Sequence, residues 1–455
     1  MRASFAAALA FALCGVPAFA APSPAPSSPA AAAAPRLLTL EECLRLGFAN
    51  DAGLRADELE TQVADARIHE MQGQYLPSLS LQGGYSRLSD VAPGSLSVSL
   101  PPPFGTQNIT FPPSLDNSTT FRLALQQPIF TGKRIDSSVR QAEALSNSSK
   151  GDLGKSRLDL RYSITQAFWN LAKAKTQVQA ISQSVSQAET HLADAKKLRD
   201  QGMATNNDVL QAQMRLEDSK IDLSSVQGAQ QIAQTQLAIL IGLPWTNSID
   251  VPDDTGQRVQ ATAETLQDLV SKALSSRPEI QAARSRVTAS EASVDLAQSG
   301  LYPNLFVTGD YTVANPNQRV FPQSDQFVGT WSIGILASVD VGRYPQVLAQ
   351  TEQARNKLSQ AQQGSRQIAD AVVADVIRAY VTLNEAVGRL ASLHEETAQA
   401  EENDRVTQER YRQGIALSSE SLDAQTLVVQ ARLRENNALF DCQVARAALE
   451  RAVGE

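Results

Sequence analysis

The chain has 455 residues, 42% of them hydrophobic but only 5% aromatic, and a net charge of −8. So few aromatics in so long a chain argue against large compact cores. An acidic balance without a basic patch argues against nucleic acid as a partner.

The opening MRASFAAALAFALCGVPAFA has a single arginine, an apolar stretch and an Ala18-Phe19-Ala20 ending. Residues 1–20 therefore read as a secretory signal peptide. Cys14 inside it follows Leu13, where lipid attachment calls for a small residue, so lipidation is not expected. Residues 21–36 form a Pro/Ala/Ser tract with nothing to pack, and read as a disordered leader. Beyond it, no apolar run reaches the roughly 18 residues a membrane helix needs, so any membrane span must be made of strands. Cys43 and Cys442 remain in an oxidising compartment, either bonded to each other or as two separate buried thiols.

The stretch YLPSLSLQGGY at 75–85 returns as LYPNLFVTGDY at 301–311. The match runs upstream without a gap, with Thr39-Leu40 falling on Thr265-Leu266 and Pro77 on Pro303. Downstream, Ala167-Phe168 falls on Ala379-Tyr380 and Gln201-Gly202 on Gln413-Gly414. This is a duplicated unit: a first repeat over 37–241, a connector over 242–264, and a second repeat over 265–455.

Within each unit a short helix, near 39–75 and 265–301, precedes two strands. Alternation marks the strands: Leu79, Leu81 and Tyr85; Phe121, Leu123, Leu125 and Ile129; Leu305, Val307 and Tyr311; Trp331, Ile333, Ile335, Ala337 and Val339. Each run is about 9–11 residues, the length of a tilted membrane strand. The stretch between the first two strands is longer than its counterpart, as expected of an exposed excursion. From Gly132 to Gly202, and from Gly342 to Gly414, apolar positions such as Val178, Ile181, Val185, Ala188, Leu192 and Ala195 recur at heptad-like spacing. About 70 helical residues make a rod of roughly 100 Å. Each rod turns at a glycine and returns as a shorter helix, near 203–240 and 415–452, so that two short helices end to end match one rod.

Four strands do not close a barrel, for which about eight is the minimum. Open edges in a bilayer leave backbone groups unpaired at several kcal/mol each, so other copies of the chain must complete the sheet. Three chains supply twelve strands. The expected fold is mainly α with a membrane β-barrel that other copies of the chain complete.

Duplication, strand pairs, rods and glycine turns together resemble the TolC-type outer membrane factor family. The resemblance rests on YLP and LYP, LALQQPIFTGKR, QGMATNNDVLQAQMRLEDSKIDL and RYRQGIALSSESLDAQTLVVQARL, and covers roughly residues 37–452. It implies a homotrimer, a trimeric α-barrel joined to a twelve-stranded β-barrel, set in outer-membrane lipid and extending into the periplasm. Such a trimer is a passive exit duct for efflux or type I secretion, working with a periplasmic adaptor (membrane fusion protein) and an inner-membrane transporter. It also implies a gate at the periplasmic tip, made here of Asp208, Tyr411, Glu420 and Asp423, with Tyr411 bonding across to Asp208. Glu420 and Asp423 are three apart and share a helical face, so three copies would stack anionic rings and favour cations. Where the family has a gate-locking arginine this chain has Ala416. The turns Gly202, Met203, Ala204, Gly414, Ile415 and Ala416 are the expected adaptor-docking surface.

Neither an enzyme nor a cofactor-binding protein is expected. His69, His191 and His394 stand alone on polar helices without paired spacing and read as surface residues, and no phosphate-cradling glycine loop is present. The competing reading is a soluble periplasmic coiled-coil adaptor or spacer. An adaptor, however, is expected to have one hairpin between lipoyl-like and β-barrel domains, and this chain has two hairpins with strand pairs.

Overall fold

The computed structural model describes residues 36–89, 94–110, 116–202, 204–246, 249–252, 263–321, 324–413 and 415–455. The signal peptide, nearly all of the leader, much of the connector, and Met203 and Gly414 lie outside the described residues. In chain order the first repeat comprises β1 (Arg36–Leu37), α1 (Leu40–Asn50), α2 (Ala52–Gly73), β2 (Ser78–Arg87), β3 (Ser95–Ser99), β4 (Thr106–Thr110), β5 (Asn117–Phe130), α3 (Arg134–Asp200) and α4 (Asn206–Leu240). After β6 (Ile249–Asp250), the second comprises α5 (Leu266–Ser276), α6 (Pro278–Gln298), β7 (Asn304–Asn315), β8 (Val328–Ser338), α7 (Tyr344–Arg412) and α8 (Ser418–Val453).

Two sequence expectations need correction. The single helix expected before each strand pair is two helices. Asp51 adopts an extended backbone and caps α2, its carboxylate accepting from the Leu54 amide at 2.6 Å. At the matching position Arg277 is extended because Pro278 follows it. The excursion between β2 and β5, expected to be a loop, contains the β3–β4 hairpin, with Leu96 paired to Ile109.

The long helices α3 and α7 run for 67 and 69 residues, each close to 100 Å. Over its first half α3 is flanked by α2 and α6, and over its second half by α4 and α8; α7 packs on α6 and then on α8. The result is a single layer of four rods, with α2 and α4 along one lateral edge and α7 along the other.

The core sits where the short helices meet the rods, and it is duplicated. Ile164, Leu171, Leu237 and Ile241 are fully buried in one cluster. Val376, Leu383, Leu449 and Val453 take the matching places in the other. Each returning helix is fastened at its last turn to the break before it. Asn50 donates to the Ile241 carbonyl at 3.2 Å, and Ser276 to the Val453 carbonyl at 2.8 Å. Gly242 ends α4 with φ +71°, and a Cβ there would lie 2.4 Å from that of Asn50, so only glycine fits. The connector is tied in by the parallel pair β1–β6 and by Lys175, whose ammonium reaches Asp250 at 2.9 Å and the Val251 carbonyl at 2.6 Å. Cys43 and Cys442 are free thiols in different clusters, not a disulfide. Burial pushes the Cys43 thiol up to about 11 and Cys442 in the same direction.

Candidate functional site: a two-faced sheet and a periplasmic tip

The four long strands form one antiparallel sheet in the order β2-β5-β7-β8. Its register places Leu81, Leu123, Tyr311 and Trp331 in one row, and Leu79, Leu125, Gly309 and Ile333 in the next. Both rows lie on the same face, which is open: Leu81 is 77% exposed, Ile333 75% and Ile335 80%. The opposite face is polar, with Ser80, Ala124, Asp310 and Ser332 in one row and Gln82, Arg122, Thr312 and Thr330 in another. There Arg122 lies 3.5 Å from Asp310, which also accepts a hydrogen bond from Ser332. The alternation expected through Ile129 slips by one residue. A bulge between Pro128 and Phe130 brings Phe130, not Ile129, opposite Leu305, because proline has no amide to give the ladder. Among the described residues the strands β2 and β8 have no neighbour on their outer sides.

A sheet with bulky aliphatic and aromatic side chains in the open on one face and charges on the other is suited to lipid on one side and water on the other. Among the described residues no helix is long and apolar enough to cross a membrane. Nor does any group of three or more His, Cys, Asp or Glu side chains there have the placement to hold a metal ion.

The far ends of the rods form the tip. In the first hairpin Gly202 takes φ +76° with open space around it, the left-handed residue that reverses the chain. Ala204 follows, and Thr205 opens α4 with a reciprocal capping box. Asp208 Oδ2 accepts from the Thr205 amide at 2.8 Å, and Thr205 Oγ1 accepts from the Asp208 amide at 3.3 Å. These bonds hold the Asp208 carboxyl below its ordinary value. Asp208 is thus committed to Thr205 within its own chain, and the described contacts of Tyr411 lie elsewhere.

In the second hairpin the Ile415 and Ala416 amides both donate to the Arg410 carbonyl, at 2.9 and 3.3 Å. Glu420 is the repeat equivalent of Asp208, but the residue matching Thr205 is Leu417, whose side chain makes no capping bond. Glu420 and Asp423 stand exposed on one face of α8. Ile415 and Leu417 are also exposed, at 64% and 67%.

His191 is not the surface residue its surroundings in the sequence suggest. Its ring stacks on Tyr411 with centroids 6.3 Å apart, and neither ring nitrogen has a hydrogen-bond partner among the described residues. Burial lowers its pKa, opposed by the nearby Asp194. Local spacing holds no signal for this pairing, which arises only when the two hairpins lie side by side. His394 binds Glu435 at 2.7 Å.

The comparisons with known proteins agree with this architecture. The model of the outer membrane efflux protein family matches residues 46–243 and 269–455. The chain belongs to that family. It is 24% identical over 313 residues to protein CyaE of Bordetella pertussis, covering 67% of this chain and 62% of that one. It therefore spans less than two thirds of that relative. Against the outer membrane protein TolC of Vibrio cholerae the identity is 21% over 408 residues, covering 89% and 88%. The solved outer-membrane channel OprN superimposes with a TM-score of 0.75 at 19% identity, covering 91% of this chain and 89% of that one, which shows the fold.

Proposed function

We propose that this outer membrane efflux protein is a passive exit duct, three copies of which close a twelve-stranded barrel above a helical tunnel. The observation that carries the reading is the sheet. Its apolar face is exposed, its polar face is lined by Arg122 and Asp310, and among the described residues both lateral edges are unpaired. Joining β8 of one copy to β2 of the next would satisfy those edges, as a bilayer requires. The helical layer offers the same kind of edges. On α4, Leu210, Met214, Ile221, Ile232 and Ile239 are exposed at spacings that place them on one helical stripe. On the opposite margin, α7 exposes Ile377, Val381 and Val406. A soluble adaptor or spacer has no use for an exposed apolar sheet face.

At the tip, Glu420 and Asp423 of three copies would form anionic rings that favour cations and close around divalent ions. Asp208 and Tyr411 would shape the hairpins that hold those rings. The turns at Gly202, Met203, Ala204, Gly414, Ile415 and Ala416 would receive the tips of a periplasmic adaptor, with exposed Ile415 as the apolar contact. An inner-membrane transporter would supply the energy for efflux or type I secretion.

Recording single channels of the purified protein in planar bilayers tests this. Cation preference and block by divalent ions are expected, both weakened by the double substitution Glu420→Gln/Asp423→Asn. A pore of unchanged selectivity in that variant would remove the acidic rings from the account.

A further inference from the structure

Contacts between the two hairpins change character from the equator to the tip. Near the equator they are apolar and aromatic: Trp169 lies 6.1 Å from Phe440 within the core cluster that holds Phe168 and Leu171. Farther down they are single polar bonds. Lys173 reaches Asp441 at 3.0 Å, and Gln177 donates to Asn437 at 2.8 Å. Farther still the seam is hollow, before the hairpins meet again at the stack of His191 on Tyr411. One cavity of about 80 Å³ lies among Gln183, Gln187, Asp404, Gln425 and Arg432. There Asp404 Oδ1 is buried without a partner, the kind of polar space that holds water.

Across this loosened stretch runs one long side chain. Arg215, on α4, passes Ser184 and Ala188 of α3 and donates from Nη2 to Thr426 Oγ1 on α8 at 2.7 Å. The small residues Ser184 and Ala188 leave the room it needs. Thr426 in turn donates to the Leu422 carbonyl at 2.8 Å, which fixes its hydroxyl as an acceptor for the guanidinium. The first hairpin is itself held by aliphatic packing of Ala188, Leu192, Ala195, Val209, Ala212 and Leu216, and the second by ion pairs from Arg432 to Glu401 and from Arg434 to Glu396, both at 2.7 Å. The two hairpins can therefore part as stiff units along the polar seam while remaining joined at the equator.

We infer that Arg215 is the latch of the periplasmic gate, and that its bond to Thr426 holds the second hairpin against the first in the closed state. It is a positioning residue: it sits back from the turns and acts on the opening through the set of the two hairpins. The inference rests on the duct reading.

The test is single-channel conductance of the full-length protein, with the detergent-stable oligomer and its melting temperature as checks on folding. Arg215→Ala and Thr426→Val should each raise the resting conductance several-fold. The double variant should rise no further than either single one, because both remove the same bond. Thr426→Ser, which keeps the hydroxyl, should behave as wild type. Thr426→Val leaves the charge unaltered, so a rise in that variant reflects the latch and not a changed field in the pore. Folded variants with wild-type conductance would overturn the latch while leaving the duct intact. A wild-type protein that forms no pore would overturn the duct reading itself.

Discussion

The helices α3, α4, α7 and α8 run through both the equatorial joint and the periplasmic tip, which are held by different physics. At the joint, Ile164, Leu171 and Leu237 are sealed from water, and each returning helix is tied by Asn50 or Ser276 to the break beside it. At the tip the hairpins meet through a stacked His191 and Tyr411, an arginine laid across a groove, and polar cavities. Buried aliphatic surface resists separation, whereas polar contacts exchange with water at little net cost. The fold therefore concentrates its stability halfway along the rods and leaves their ends able to move.

That contrast is broken most directly at the joint. Phe168→Ala removes a ring that is 2% exposed and should cost about 3–5 kcal/mol, lowering the helix melting temperature measured by circular dichroism. An undiminished melting temperature would show that the equatorial cluster is not the stabilising core. Next in size is the sheet. Ile333→Lys should cost about 2–4 kcal/mol per chain at mid-bilayer and deplete the outer-membrane oligomer. Ser80→Lys, on the polar face, should leave it in place. The reverse pattern in membrane fractions would mean that the two faces have been assigned the wrong way round.

Smaller effects are expected at the tip. Thr205→Ala removes the capping box and should cost about 1 kcal/mol, seen as faster hydrogen exchange in the first turn of α4. The cap also depends on pH. The Asp208 carboxyl is held below its unfolded value, so its contribution is complete above that value, about 3.9, and lost as pH falls through the folded one. His191 acts nearer neutrality. Its folded pKa is depressed, so the unfolded chain binds more protons, and the contact with Tyr411 weakens as pH drops below about 6.5. Replacement by phenylalanine should keep the stacking and remove that acid sensitivity. Equal loss of tip order in both proteins between pH 7 and 5 would contradict this assignment.

Much of this was legible in the sequence. The duplication, the strand alternation and the rod lengths all depend on local periodicity, which survives without knowledge of tertiary contacts. The breaks at Asp51 and Arg277 were marked by an aspartate cap and a proline, signals masked by the continuous amphipathic pattern around them. The bulge at Pro128 depended on strand pairing. The tip was least legible because its contacts join residues more than two hundred positions apart: Arg215 with Thr426 and His191 with Tyr411. Comparison of the repeats would have separated the two acids, since Asp208 follows a threonine cap and Glu420 follows Leu417. The aliphatic stripe on α4 was likewise present in the sequence. Its meaning became clear only once α3 was seen to cover the opposite side.

We propose that one copy of the chain is an open stave, with its β2 and β8 edges and its α4 and α7 margins satisfied by neighbours. Light scattering of the detergent-extracted protein, with the detergent mass subtracted, measures this directly. A particle of three chains is expected. A stable particle of one chain, remaining in solution without detergent, would contradict it.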